Sequence, residues 1–177
     1  EEIPEVIKYS ITPLIFDKEI IALYDEELEK TGASSKFPVH MAVDTGMGRV
    51  GIRPDEAGEI ASAIVDSKHL LLGGMCTHFA VADSLTDEDI AYTEKQYDAF
   101  LTAIKNVEQL GINPGIRHCC NSPAALNHPD WQLDMIRPGI IVYGYYPDQI
   151  TKDYLLQKGI DIDLKPVMSL VSGVCAI

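Results

Sequence analysis

The stretch "PVHMAVDTGMGRVG", residues 38–51, runs through a largely apolar segment to Asp44 and then packs Gly46, Gly48 and Gly51 around Arg49. A run with little polar alternation fits a strand buried on both faces. The glycines allow a sharp turn after it, and "PDEAGEIASAIVDSK" (54–68), with Pro54 at or near its first position, reads as a helix. The same succession recurs on either side. Upstream, "ITPLIF" (11–16) precedes "DKEIIALYDEELEKTG" (17–32), in which Ile20, Ile21, Leu23, Tyr24 and Leu28 form one apolar stripe, Asp17 can cap and Gly32 can stop. Downstream, "HLLLGGMCTHFA" (69–80) leads into "TDEDIAYTEKQYDAFLTAIKNVEQLG" (86–111), with Thr86 and Asp89 spaced as a capping-box variant and Gly111 past the end. "GIRHCCN" (115–121), a helical turn in "SPAALNHP" and a strand-like "MIRPGIIVYG" (135–144) complete the series. Five strands alternating with helices imply an α/β fold with a parallel sheet. It is either an open doubly wound sheet or part of a (β/α)8 barrel. Asp44, His78, Asn121 and Arg137 fall at or just beyond the C-terminal ends of these strands, the edge where both architectures bind ligands.

At 177 residues the chain suits one domain with a real core. It opens on Glu1 and stops inside the β-prone "LKPVMSLVSGVCAI" (164–177), so it is expected to be a piece of something larger. "YPDQITKDYLLQKGIDID" (146–163) reads as a polar connection into a more β-rich region. A net charge of -13, from 14 basic and 27 acidic residues, argues against a nucleic-acid partner. No apolar run approaches ~18 residues, so no membrane span is visible, and no signal peptide opens the chain. Cys76, Cys119, Cys120 and Cys175 form no C-x-x-C pair and read as free thiols in a reducing cytosol.

Several side chains carry possible chemistry. Arg49 is either a surface arginine on a turn or an anion or phenolate binder. Ser122, read as an N-cap with Pro123 in the first helical position, offers free N–H groups to a phosphate, unless the helix is merely capped. Arg137, between Ile136 and Ile140, is costly to bury unpartnered. It needs a ligand, an ordered acceptor or a salt bridge to an acid such as Asp134. Gly139 and Ile140 add backbone N–H groups beside the phosphate seat. His78 is a hydrogen-bonded core residue or a site residue. His78, His118, Cys119 and Cys120 lack metal-ligand spacing, so no metal is expected. Ser122 has no G-x-S-x-G elbow, which argues against a serine hydrolase.

In this order and at these separations, "VDTGMGRVG", "THFAVAD", "CCNSPAAL" and "IRPGIIVYG" resemble the alanine racemases, fold-type III enzymes that use pyridoxal 5'-phosphate. The resemblance implies a partial (β/α)8 TIM barrel, about its second half, over residues 1–163, running into the start of a β-rich C-terminal domain at 164–177. It also implies a homodimeric, cytoplasmic isomerase that interconverts L- and D-alanine for the bacterial cell wall. Serine racemases of the same family and a non-catalytic cofactor-binding barrel remain alternatives. Position by position, Arg137 resembles the arginine facing the cofactor's pyridine nitrogen, and Ser122, Gly139 and Ile140 the phosphate binders. Asn121 and His78 resemble the shell around the ring, with His78 expected to hydrogen-bond Arg137. Arg49 resembles the arginine that meets the cofactor's phenolic oxygen and the substrate carboxylate. The family's Schiff-base lysine and opposing tyrosine are absent from this chain, which alone is expected to be inactive. Ala42 stands where many members carry a lysine whose modified, negative side chain steadies that arginine.

Overall fold

The computed structural model describes residues 2–32, 34–167, 169 and 171–173. Four strands form one parallel sheet in sequence order: β1 (Leu14–Ile15), β2 (Phe37–Ala42), β3 (Leu70–Cys76) and β4 (Ile116–His118). Helices α1 (Ile3–Lys8) and α2 (Lys18–Thr31) flank β1, α3 (Ala57–Asp66) follows a 3-10 turn at Pro54–Glu56, and α4 (Asp87–Glu108) links β3 to β4. α5 (Ser122–Asn127) and α6 (Lys152–Gln157) come after β4.

The local signals act as the sequence implies. The Asp17 carboxylate accepts the Ile20 N–H at 2.7 Å, and Gly32 closes α2 in the left-handed region at φ 65°. Thr86 caps α4 by accepting the Asp89 N–H. Burial follows the helical period: Ile60, Ala61 and Ile64 of α3 and Phe100, Ala103, Ile104 and Val107 of α4 pack with Val39, Met41, Leu70, Leu72 and Met75 of the sheet. On the sheet itself Leu14, Leu71 and Ile116 remain exposed. Among the described residues the sheet is open, with β1 and β4 at its edges.

The fifth strand expected at 135–144 does not form. The segment starts alongside β4: Asp134 N–H donates to Arg117 O and Arg137 N–H to Cys120 O. The ladder fails because the Asp134 carboxylate, rather than a carbonyl, receives the Arg117 N–H, and because Pro138 has no N–H to give. The chain turns instead into a 3-10 helix at Ile140–Tyr143. Leu126, Ile150 and Leu155 make a second, smaller apolar cluster under the polar connection, which contains α6. The β-rich region expected from 164 falls partly on residues 168, 170 and 174–177, which lie outside the described ones, as does Cys175.

Candidate active site

Arg49 sits on the excursion between Val43 and Ile52, whose ends are pinned by a parallel bridge: Asp44 N–H donates to Ile52 O and Ile52 N–H to Ala42 O. Within it the Asp44 carboxylate accepts the N–H groups of Gly46 (2.9 Å) and Gly48 (3.1 Å). Gly46 and Gly48 have φ of 137° and 69°, a region L side chains rarely occupy, and a Cβ on Gly46 would collide with the Tyr92 hydroxyl. The glycines are therefore dictated by the path that presents Arg49.

Arg49 lines a cavity of about 100 Å³ together with Ala42, Cys76, Thr77, His78 and Arg137. β2 and β3 end beside it, so the cavity opens at the C-terminal end of the sheet. None of the ion pairs among the described residues involves Arg49 or Arg137. Two guanidiniums thus line one small cavity with no carboxylate paired to either, an arrangement suited to an anionic ligand. His78 lines the same cavity, and burial with the two cations holds its pKa below the usual histidine range, so it is neutral.

Arg137 is held by neutral groups. Its Nη2 donates to Thr77 O at 2.6 Å, and Nη1 donates to His118 O at 3.0 Å and His118 Nδ1 at 2.6 Å. An arginine donates and does not accept, so His118 Nδ1 carries no proton and its Nε2–H donates to His40 Nδ1, 2.8 Å away. Burial, Arg137 and His40 together push the His118 pKa down to about 3, and burial lowers that of His40. The partner of Arg137 is therefore His118 and not the expected His78. β4 ends at His118 and aims its ring at the guanidinium, while His78 lines the cavity. Asp134, the alternative partner, pairs with Arg117 through contacts of 2.7 and 3.1 Å.

Asn121, not Ser122, is the N-cap of α5, accepting the Ala124 N–H at 3.3 Å. Ser122 is its first residue, and its buried hydroxyl accepts the Gly139 N–H at 2.7 Å. Ser122, Gly139 and the following Ile140, whose side chain is exposed, therefore meet where α5 and the 3-10 turn begin. Asn121 also donates to Phe79 O, in the loop after His78. Among the described residues no group of three or more His, Cys, Asp or Glu could hold a metal ion, and no helix is long and apolar enough to cross a membrane. Sequence reasoning does not find His118 and His40 as the support of Arg137. Alternation along β2 and β4 puts them on a common face, but nothing in either strand marks their contact.

A family model described as "Alanine racemase, N-terminal domain" matches residues 1–147. The alanine racemase of Treponema denticola is 45% identical over 177 residues, covering 100% of this chain and 44% of its own length. That of Desulfovibrio desulfuricans is 42% identical over 165 residues, 93% of this chain and 41% of its own. Among solved structures, the alanine racemase of Clostridium difficile 630 in complex with cycloserine has a TM-score of 0.81 at 31% identity, over 93% of this chain and 43% of that one. The E. faecalis alanine racemase gives a TM-score of 0.76 at 29% identity, over 93% and 41%. The chain spans less than half the length of these relatives. The family match names the N-terminal domain as a whole and does not single out a second half of a barrel.

Proposed function

The chain belongs to the alanine racemase family, and on that premise we propose that it is the greater part of the cofactor-facing side of a pyridoxal-phosphate-dependent racemase that interconverts L- and D-alanine. The observation that carries this reading is the cavity where Arg49 and Arg137 meet without a carboxylate. The open sheet then forms one arc of a barrel over residues 1–163, with a C-terminal domain beginning at 164. The rest of the protein supplies the lysine and the tyrosine, in a cytoplasmic homodimer that provides D-alanine for the cell wall.

The residues fit the group: pyridoxal phosphate is polyanionic, and the donor set is cationic or N–H. Arg137 faces the pyridine nitrogen. Its proton is not released at physiological pH, so it donates a hydrogen bond and leaves that nitrogen unprotonated. Thr77 O and His118 hold the guanidinium in place. The phosphate would be held by the Ser122 hydroxyl, which keeps its own proton to donate while it accepts the Gly139 N–H, and by the Ile140 N–H, with Gly139 fixing the Ser122 side chain. Arg49 pairs with the phenolic oxygen and the substrate carboxylate, while Asn121 and the neutral His78 border the ring without adding charge. When bound, the cofactor delocalises the electron pair left on the α-carbon after proton loss. A ring nitrogen left unprotonated by Arg137 would limit that delocalisation, which suits a reaction in which the α-carbon regains a proton.

The test uses the full-length protein with either alanine enantiomer in deuterated water. Loss of optical activity with solvent deuterium incorporated at the α-carbon is expected. Retention of configuration, or faster turnover of serine than alanine, overturns the assignment.

A further inference from the structure

One polar side chain on the buried stripe of α4 ties the segment that carries Arg49 to the loop whose Thr77 carbonyl holds Arg137. Gln96 is 1% exposed and uses its whole amide. Its Oε1 accepts the Ala80 N–H at 3.0 Å, and its Nε2 donates to His78 O and to Thr45 Oγ1, each at 3.3 Å. Because Thr45 Oγ1 accepts from Gln96, its own proton is free to go to Thr77 Oγ1, 2.7 Å away. Thr77 O is in turn the acceptor for Arg137 Nη2. One turn earlier on the same helix face, the Tyr92 hydroxyl donates to Gly46 O at 2.7 Å. Thr45 and Gly46 belong to the Arg49 excursion, and Thr77 to Ala80 to the loop after β3.

We infer that Gln96 is a positioning residue that sets the Arg49 excursion, the His78 loop and, through Thr45 and Thr77, the Arg137 guanidinium at fixed separation. Arg49 itself makes no ion pair among the described residues, so its placement depends on the backbone that carries it. An apolar side chain of similar size in place of Gln96 keeps the volume but removes all three bonds. It thereby frees two loops that are adjacent in space and more than thirty residues apart in sequence. The catalytic part of this inference rests on the racemase proposal; the coupling of the loops does not.

The test is hydrogen exchange on the full-length protein carrying Gln96→Leu. Exchange in 43–53 and in 77–83 should accelerate together, with the Ala80 amide among the fastest changes and protection over 100–107 retained. Thr45→Val removes both bonds of the Thr45 hydroxyl, to Gln96 and to Thr77, so it should loosen 43–53 and leave the Ala80 amide protected. The double variant should accelerate exchange in 43–53 by less than the product of the two single effects, because the Gln96–Thr45 bond is lost only once. Against alanine, Gln96→Leu should raise KM about tenfold with kcat changed far less, as for a misplaced carboxylate binder. Unchanged exchange in both loops, or additive effects of the two substitutions, overturns the inference. If Gln96→Leu fails to fold, a Thr45→Val protein with native exchange in 43–53 overturns it equally. A wild-type protein inert toward alanine would remove the racemase proposal while leaving the exchange result to decide the coupling.

Discussion

Two arginines near β4 are treated in opposite ways. On the outer flank of the strand, Arg117 is gripped by both carboxylate oxygens of Asp134, whose own pKa is held down to about 2 by that arginine, and the pair borders a wide hollow of about 550 Å³. At the end of the sheet, Arg137 lines a cavity of about 100 Å³ and receives only carbonyls and a neutral imidazole. The larger hollow contains a charge already answered by its neighbour. The smaller one contains charge left for something else to answer. Size alone favours the hollow at Arg117, and charge balance the cavity at Arg137.

The contrast breaks most sharply at the unpaired arginine. Arg137→Leu should cut racemisation by about 10²-fold or more, the scale for removing a donor aimed at a reacting system. Turnover close to wild type would mean that this cation is structural, like Arg117. Next comes His118, which stays neutral in the fold and protonates below about 6.5 once the chain unfolds. Between 6.5 and about 3 the unfolded chain binds the extra proton, so stability falls as pH falls through that window. From this group alone the loss by about pH 5 is about 2 kcal/mol. Denaturation of wild type and His118→Asn at neutral pH and near pH 5 should show a shallower decline in the variant; parallel declines contradict the neutral-histidine assignment. The smallest effect is expected at the paired arginine. Asp134→Asn should cost no more than ~1 kcal/mol, because both partners are more than one-third exposed, and should leave KM for alanine unchanged. A large kinetic effect there would erase the distinction between the two arginines.

The sequence reveals this contrast only in part. Arg49 is legible because three glycines and an acid announce a specific turn, and Ser122 with Pro123 announces a helix start. The cap itself lies one residue earlier than the sequence suggests, because Asn121 and Ser122 both suit the position. The fifth strand is a false signal: "MIRPGIIVYG" has strand composition, while Pro138 and the Asp134 carboxylate prevent a continuous ladder. The partner of Arg137 is hidden for a different reason. His78 and His118 both lie at strand ends, and only three-dimensional register decides which ring reaches the guanidinium. Gln96 does leave a trace: positions 93, 96, 100, 103, 104 and 107 of α4 form one buried stripe, and its first two members are polar. Thr93 turns its hydroxyl back to Asp89 O in the same helix, whereas the Gln96 amide has no partner there and must find one outside α4.

The row Arg137, His118, His40 has a consequence for traffic of protons. Each bond in it is donated in the same direction, away from the arginine, and the arginine does not surrender its proton. To carry a proton inward the row would have to invert both imidazoles and strip a guanidinium. The row therefore insulates: no proton reaches the Arg137 guanidinium along it.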